Sequence, residues 1–105
     1  MQHITPCQLR DRLQRAPAPL LLDVREPHEF QLCHLEGSRH IPLRELPGRL
    51  GELNADEETV VICHHGMRSQ QGAALLEQHG FKQVLNLRGG LHAWANEVDP
   101  TMPRY

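Results

Sequence analysis

Leu9 and Leu13 repeat at four-residue spacing behind Thr5-Pro6, which predicts a first helix capped by Thr5 and opened by Pro6. It is expected to end before Ala16-Pro17-Ala18-Pro19. The pattern then changes to a short apolar run, Leu20-Leu21-Leu22-Asp23-Val24, the mark of a strand covered on both faces. Glu26-Pro27-His28-Glu29-Phe30 opens a short helical turn, and Ser38 to Pro42 reads as a brief strand. Leu43, Leu46, Leu50 and Leu53 mark an amphipathic helix bent near Pro47-Gly48. Thr59 to Ile62 is the next strand, and Ser69 to His79 a helix closed by Gly80. Val84 to Leu87 is a further strand, followed by Gly89-Gly90 and a last helix carrying Leu91 and Trp94. Such alternation predicts a parallel sheet with helices on both faces.

The 105 residues are expected to form one domain with its own hydrophobic core, residues 97–105 running as an extended tail over the surface. A formal charge of −2 without a basic block argues against a nucleic-acid partner. Cys7, Cys33 and Cys63 are odd in number and widely spaced, which argues against a disulfide framework and predicts a cytoplasmic protein. The first residues lack the apolar run of a signal peptide, and Leu20-Leu21-Leu22 is far too short to span a bilayer, so no membrane role is expected.

Cys63-His64-His65-Gly66-Met67-Arg68-Ser69 changes the picture most, because it sits where the buried run Thr59 to Ile62 turns into a helix. Backbone N–H groups of such a turn, with the helix N-terminus behind them, converge on the sulfur and favour its thiolate. A core cysteine would lie inside the strand, whereas Cys63 follows it and precedes polar residues, so Cys63 is the expected nucleophile. Gly66 is expected to take a positive φ, and His64, His65 and Met67 to project from the loop rim. Arg68 either receives an incoming anion, the reading given slight preference, or bridges to Asp23 or Glu29. Ser69 reads as a helix N-cap whose hydroxyl has the secondary option of reaching the sulfur.

In a parallel sheet the loops leaving the C-terminal strand ends gather on one edge, so Asp23 and Arg25, at the end of the Leu20 run, should support the Cys63 loop. Metal binding is not expected, since Cys63, His64 and His65 are adjacent and no second cluster supplies further ligands. Gly89-Gly90 is read as a tight turn, and Cys7 and Cys33 as structural.

Taken together, several segments resemble the rhodanese family along nearly the whole chain. They are Leu22-Asp23-Val24-Arg25-Glu26 with Glu29-Phe30, His34-Leu35-Glu36-Gly37-Ser38 with Ile41-Pro42, Cys63-x-x-Gly66-x-Arg68-Ser69, and Asn86-Leu87-x-Gly89-Gly90 with Ala93-Trp94. The resemblance implies a single rhodanese domain, a three-layer α/β sandwich around a five-stranded parallel sheet, and a Cys63 that carries sulfane sulfur as a persulfide. It implies a sulfurtransferase, because the loop from Cys63 to Arg68 has six residues where related phosphatases and arsenate reductases have one more. The expected partners are a small-molecule sulfur donor such as thiosulfate and an acceptor such as cyanide, a thiol or a protein. No metal or organic cofactor is implied, and a monomer is expected. A non-catalytic interaction module or persulfide relay is the alternative. The tail from Asp99-Pro100 to Pro103-Arg104-Tyr105 resembles the ends of rhodanese domains fused to adenylating sulfurylases.

Overall fold

The computed structural model describes all 105 residues. Five strands form one parallel sheet in the order β1-β5-β4-β2-β3: β1 Gln2–Ile4, β2 Leu20–Asp23, β3 Arg39–His40, β4 Thr59–Ile62 and β5 Val84–Leu87. The helices are α1 Pro6–Leu13, α2 Pro27–Leu32, α3 Leu46–Arg49, α4 Met67–Gln78 and α5 Gly90–Glu97. This is the expected α/β architecture, and its five strands include one that hydrophobic patterning did not mark. β1 is only three residues long with one buried side chain, Ile4, so neither alternation nor an apolar run could reveal it. It becomes a strand by pairing with β5, where His3 lies opposite Asn86.

Period-two alternation along the central strands feeds two cores. Val60 and Ile62 pack with Leu9, Leu87, Leu91 and Trp94 beneath α1 and α5, while Val61 and Cys63 pack with Leu22, Leu46, Ala73 and Leu76 beneath α3 and α4. All four residues of β4 are buried, as expected for a strand covered on both sides. The sheet therefore holds the start of the Cys63 loop rigidly at its C-terminal edge.

Local signals behave as their chemistry dictates. Thr5 accepts from the Gln8 amide at 3.2 Å while the Gln8 side chain accepts from the Thr5 amide at 3.0 Å, a reciprocal cap that starts α1 at Pro6. The leucine-marked segment after Pro42 divides into a 3-10 turn at Leu43–Glu45, α3, and a second 3-10 turn at Leu50–Glu52, because Pro47 and Gly48 prevent one regular helix. Ser69 is not an N-cap: Gly66 takes φ +102° and starts α4 at Met67, which moves Ser69 inside the first turn and buries it. No helix is long and apolar enough to cross a membrane.

Leu9 is fully buried between α1 and the sheet. Leu9→Ala is expected to cost about 2–5 kcal/mol, seen as a lower urea midpoint at unchanged slope.

Candidate active site

The Cys63 loop is fixed from behind by α5. The carbonyl of Cys63 accepts from the Leu91 amide at 2.9 Å, and that of His64 accepts from the His92 amide at 3.0 Å. Gly90 makes this approach possible, since at φ +61° a Cβ there would stand 2.3 Å from the Cys63 carbonyl oxygen. Gly89-Gly90 is thus more than a tight turn: it lets α5 grip the loop. Those two bonds fix the Cys63–His64 and His64–His65 peptide units. Gly66 N–H donates to Cys63 Sγ at 2.9 Å, and the amides of His64, His65, Met67 and Arg68 donate to no backbone carbonyl. The thiol itself lies at the floor of the loop, 1% exposed.

Inside the first turn of α4, Ser69 Oγ stands 3.3 Å from Cys63 Sγ and donates to Asn86 Oδ1. Asn86 Nδ2 in turn lies 3.2 Å from Nδ1 of His3. A polar chain therefore runs from the sulfur through Ser69 and Asn86 to the sheet edge at β1. Sequence reasoning placed Ser69 near the sulfur only as a secondary option and missed Asn86 and His3. The one available signal was Asn86, a polar residue in an otherwise apolar strand.

Asp23 and Arg25 do not touch the loop. Both are fully buried; Arg25 Nη2 meets Asp23 Oδ2 at 2.7 Å and Nε meets Oδ1 at 2.9 Å. The remaining guanidinium N–H groups donate to the carbonyls of Glu29 at 3.2 Å and Cys33 at 2.6 Å and to the Tyr105 hydroxyl at 2.7 Å. Burial works against its charge, but the bonds to Asp23 and Tyr105 outweigh it and raise the pKa above that of an ordinary arginine. Support reaches the loop one step later, through Glu29. Its carboxylate accepts from Arg68 Nη1 at 2.6 Å and Nη2 at 2.9 Å, and from Tyr105 O–H at 3.0 Å. Of the two readings of Arg68, the bridge is the one the geometry contains, with both Nη groups donating to Glu29.

The tail is not extended from residue 97: Glu97 ends α5, the Asp99 carbonyl accepts from the Met102 amide at 3.1 Å to close a turn, and the last residues then return to this edge. Cys33 S–H donates to the Pro103 carbonyl at 3.6 Å, and the Tyr105 ring stacks on His64 with centroids 3.9 Å apart. Burial drives the Tyr105 hydroxyl up to about 12, so it remains protonated and able to donate. Met67 projects from the rim, 76% exposed, and His65 is exposed beside it. His64 is half-buried; burial and the neighbouring imidazoles of His65 and His92 push its pKa down. His92, on α5, is the histidine that sequence spacing could not bring to the loop. A small cleft opens between His64, Leu91, His92 and the tail residues 103–105.

Residues 5–97 match the model of the rhodanese-like domain. A sulfurtransferase of Allochromatium vinosum is 39% identical over 92 residues, covering 88% of this chain and 86% of the relative. The thiosulfate sulfurtransferase GlpE of Stutzerimonas stutzeri is 38% identical over 80 residues, 76% of this chain and 73% of the relative. Other relatives are much longer: the chain spans 30% of a rhodanese-like/PpiC domain-containing chloroplast protein of Arabidopsis thaliana and 26% of a probable adenylyltransferase/sulfurtransferase of Mycobacterium tuberculosis, at 42% and 36% identity. Among solved structures, a rhodanese-like domain protein from Staphylococcus aureus superposes with a TM-score of 0.87 at 28% identity, covering 100% of this chain and 99% of that one. By sequence and by fold, the chain belongs to the rhodanese-like domain family.

Proposed function

We propose that Cys63 carries sulfane sulfur between a small anionic donor and a nucleophilic acceptor. The Cys63 thiolate attacks the outer sulfur of thiosulfate or a similar donor. A new S–S bond forms as the donor's own S–S bond breaks, and sulfite leaves with the electron pair. The product is a Cys63–S–S⁻ persulfide. Attack on its outer sulfur by cyanide, a thiol or a protein nucleophile then breaks the Cys63 S–S bond and returns the thiolate. Every step is a displacement at sulfur, so no redox partner enters.

The observation that carries this reading is the disposition of the amides. Gly66 N–H bonds Sγ, while the amides at His64, His65, Met67 and Arg68 are uncommitted and lie at the start of α4, where the helix dipole also favours negative charge. Such a cradle suits the terminal sulfur of a persulfide. Ser69 supplies a further donor when its O–H rotates from Asn86 to the sulfur. A protein acceptor gains support from a 40% identical relative described as a putative sulfur carrier protein, YrkF of Bacillus subtilis.

Arg68 and Glu29 hold the far end of the loop. The Arg68 guanidinium, with weaker help from the Glu26 amide and Tyr105, lowers the Glu29 pKa from 4.5 to about 2 despite burial. A carboxylate with a lowered folded-state pKa stabilises the fold above its unfolded value and loses that contribution as pH falls through the folded one.

Incubation with thiosulfate is expected to raise the intact mass by one sulfur atom, and addition of cyanide to release thiocyanate. Cys63→Ser should do neither. Absence of both in the wild type would refute the sulfur-transfer reading. Ser69→Ala should lower kcat/KM about 10- to 100-fold, the loss of one hydrogen bond to a charged sulfur worth about 1.5–3 kcal/mol. For Glu29→Gln, the wild type's stability advantage in urea titrations should be about 1–2 kcal/mol near neutral pH, since Arg68 is partly solvent-screened. That advantage should persist above about pH 4.5 and vanish as pH falls toward about 2.

A further inference from the structure

We propose that His64, His65 and His92 form a binding site for a borderline divalent transition-metal ion, zinc above all, at the mouth of the Cys63 loop. One ligand nitrogen from each ring lies within 4.8 Å of the other two. Tetrahedral zinc with Zn–N bonds of about 2.0–2.1 Å needs nitrogens about 3.3 Å apart. The exposed His65 and His92 rings can close that gap by small rotations, because neither ring is held by a hydrogen bond.

Two features separate this group from a chance cluster of surface histidines. The first is the brace behind it. The His92 amide donates to the His64 carbonyl at 3.0 Å, so α5 and the loop are locked together at the ligand-bearing residues themselves, and His64 is backed by the stacked Tyr105 ring. The second is availability. His3, His34, His40 and His79 each commit a ring nitrogen to a protein partner, whereas His64, His65 and His92 commit none. Glu29 and Arg68, the full charges that act on His64, are paired with each other.

Three imidazoles with no carboxylate select zinc, nickel or copper over magnesium or calcium. They also leave a fourth position open to water or to a ligand entering the loop. An ion there would stand in the path to Cys63. The inference goes beyond sulfur transfer and does not depend on it.

Calorimetric titration of the full chain with zinc, under a non-thiol reductant, tests the site. One ion should bind per chain, and binding should persist in Cys63→Ser, where no loop thiolate is available. His92→Ala and His65→Ala should each weaken it about tenfold or more, with melting temperatures showing that both variants fold. His28→Ala, at an exposed histidine away from the group, should leave it unchanged. In nitrogen-15 spectra only the rings of residues 64, 65 and 92 should shift. Binding that survives His92→Ala, disappears in Cys63→Ser, or never saturates overturns the site. Zinc binding without any sulfur transfer would instead leave the site standing and remove the proposed function.

Discussion

The functional edge is built around the buried guanidinium of Arg25. A charge with no solvent exposure is tolerated only when paired and fully hydrogen-bonded, and an arginine cannot escape by losing its proton. Its five N–H groups therefore dictate what surrounds them. Two go to Asp23, which fixes the end of β2; two go to the carbonyls of Glu29 and Cys33, which fix α2 and its exit; one goes to Tyr105, which brings the tail back. With the Glu29 backbone so held, its carboxylate is aimed at Arg68, and the Cys63 loop inherits its position from a charge it never touches.

The opposite side of the loop is set by backbone alone. Gly90 allows the first amides of α5 to reach the carbonyls of Cys63 and His64, and a side chain at that position would collide with both. Gly66, at φ +102°, completes the turn and aims its own N–H at the sulfur. Because a peptide unit is planar, holding the carbonyls of Cys63 and His64 on α5 also sets the direction of the His64 and His65 amides. The loop is thus held in one shape by α5 and by Gly66.

What the sequence revealed follows from the range of its signals. Apolar runs marked β2, β4 and β5, and proline and glycine marked where helices begin and end, so the strand-to-helix setting of Cys63 was legible. β1 was not, because three residues cannot express a period. Ser69 misled for a related reason: serine before a helical run signals a cap, yet the left-handed Gly66 had already started the helix. Arg68 was left between anion and carboxylate, with a slight lean to the anion, because its partner, Glu29, lies 39 residues away and is aimed by the Arg25 network and the Glu26 amide. Asn86 and Tyr105 stood in recognised motifs, but their roles, like that of His92, arise through tertiary contacts that local pattern does not express.

The pairing of Arg68 also bears on which anion the loop prefers. A full cation on such a loop would add to the attraction that amide donors offer an oxyanion. Here both Nη groups of the guanidinium are already on Glu29, and the attraction available at the loop comes from oriented amides and the N-terminus of α4. Partial charges of that size suit the single diffuse negative charge of a thiolate or persulfide sulfur at the floor of the loop. The same Glu29 that orders the loop therefore also pairs its one full positive charge, so that the field at the sulfur comes mainly from backbone amides.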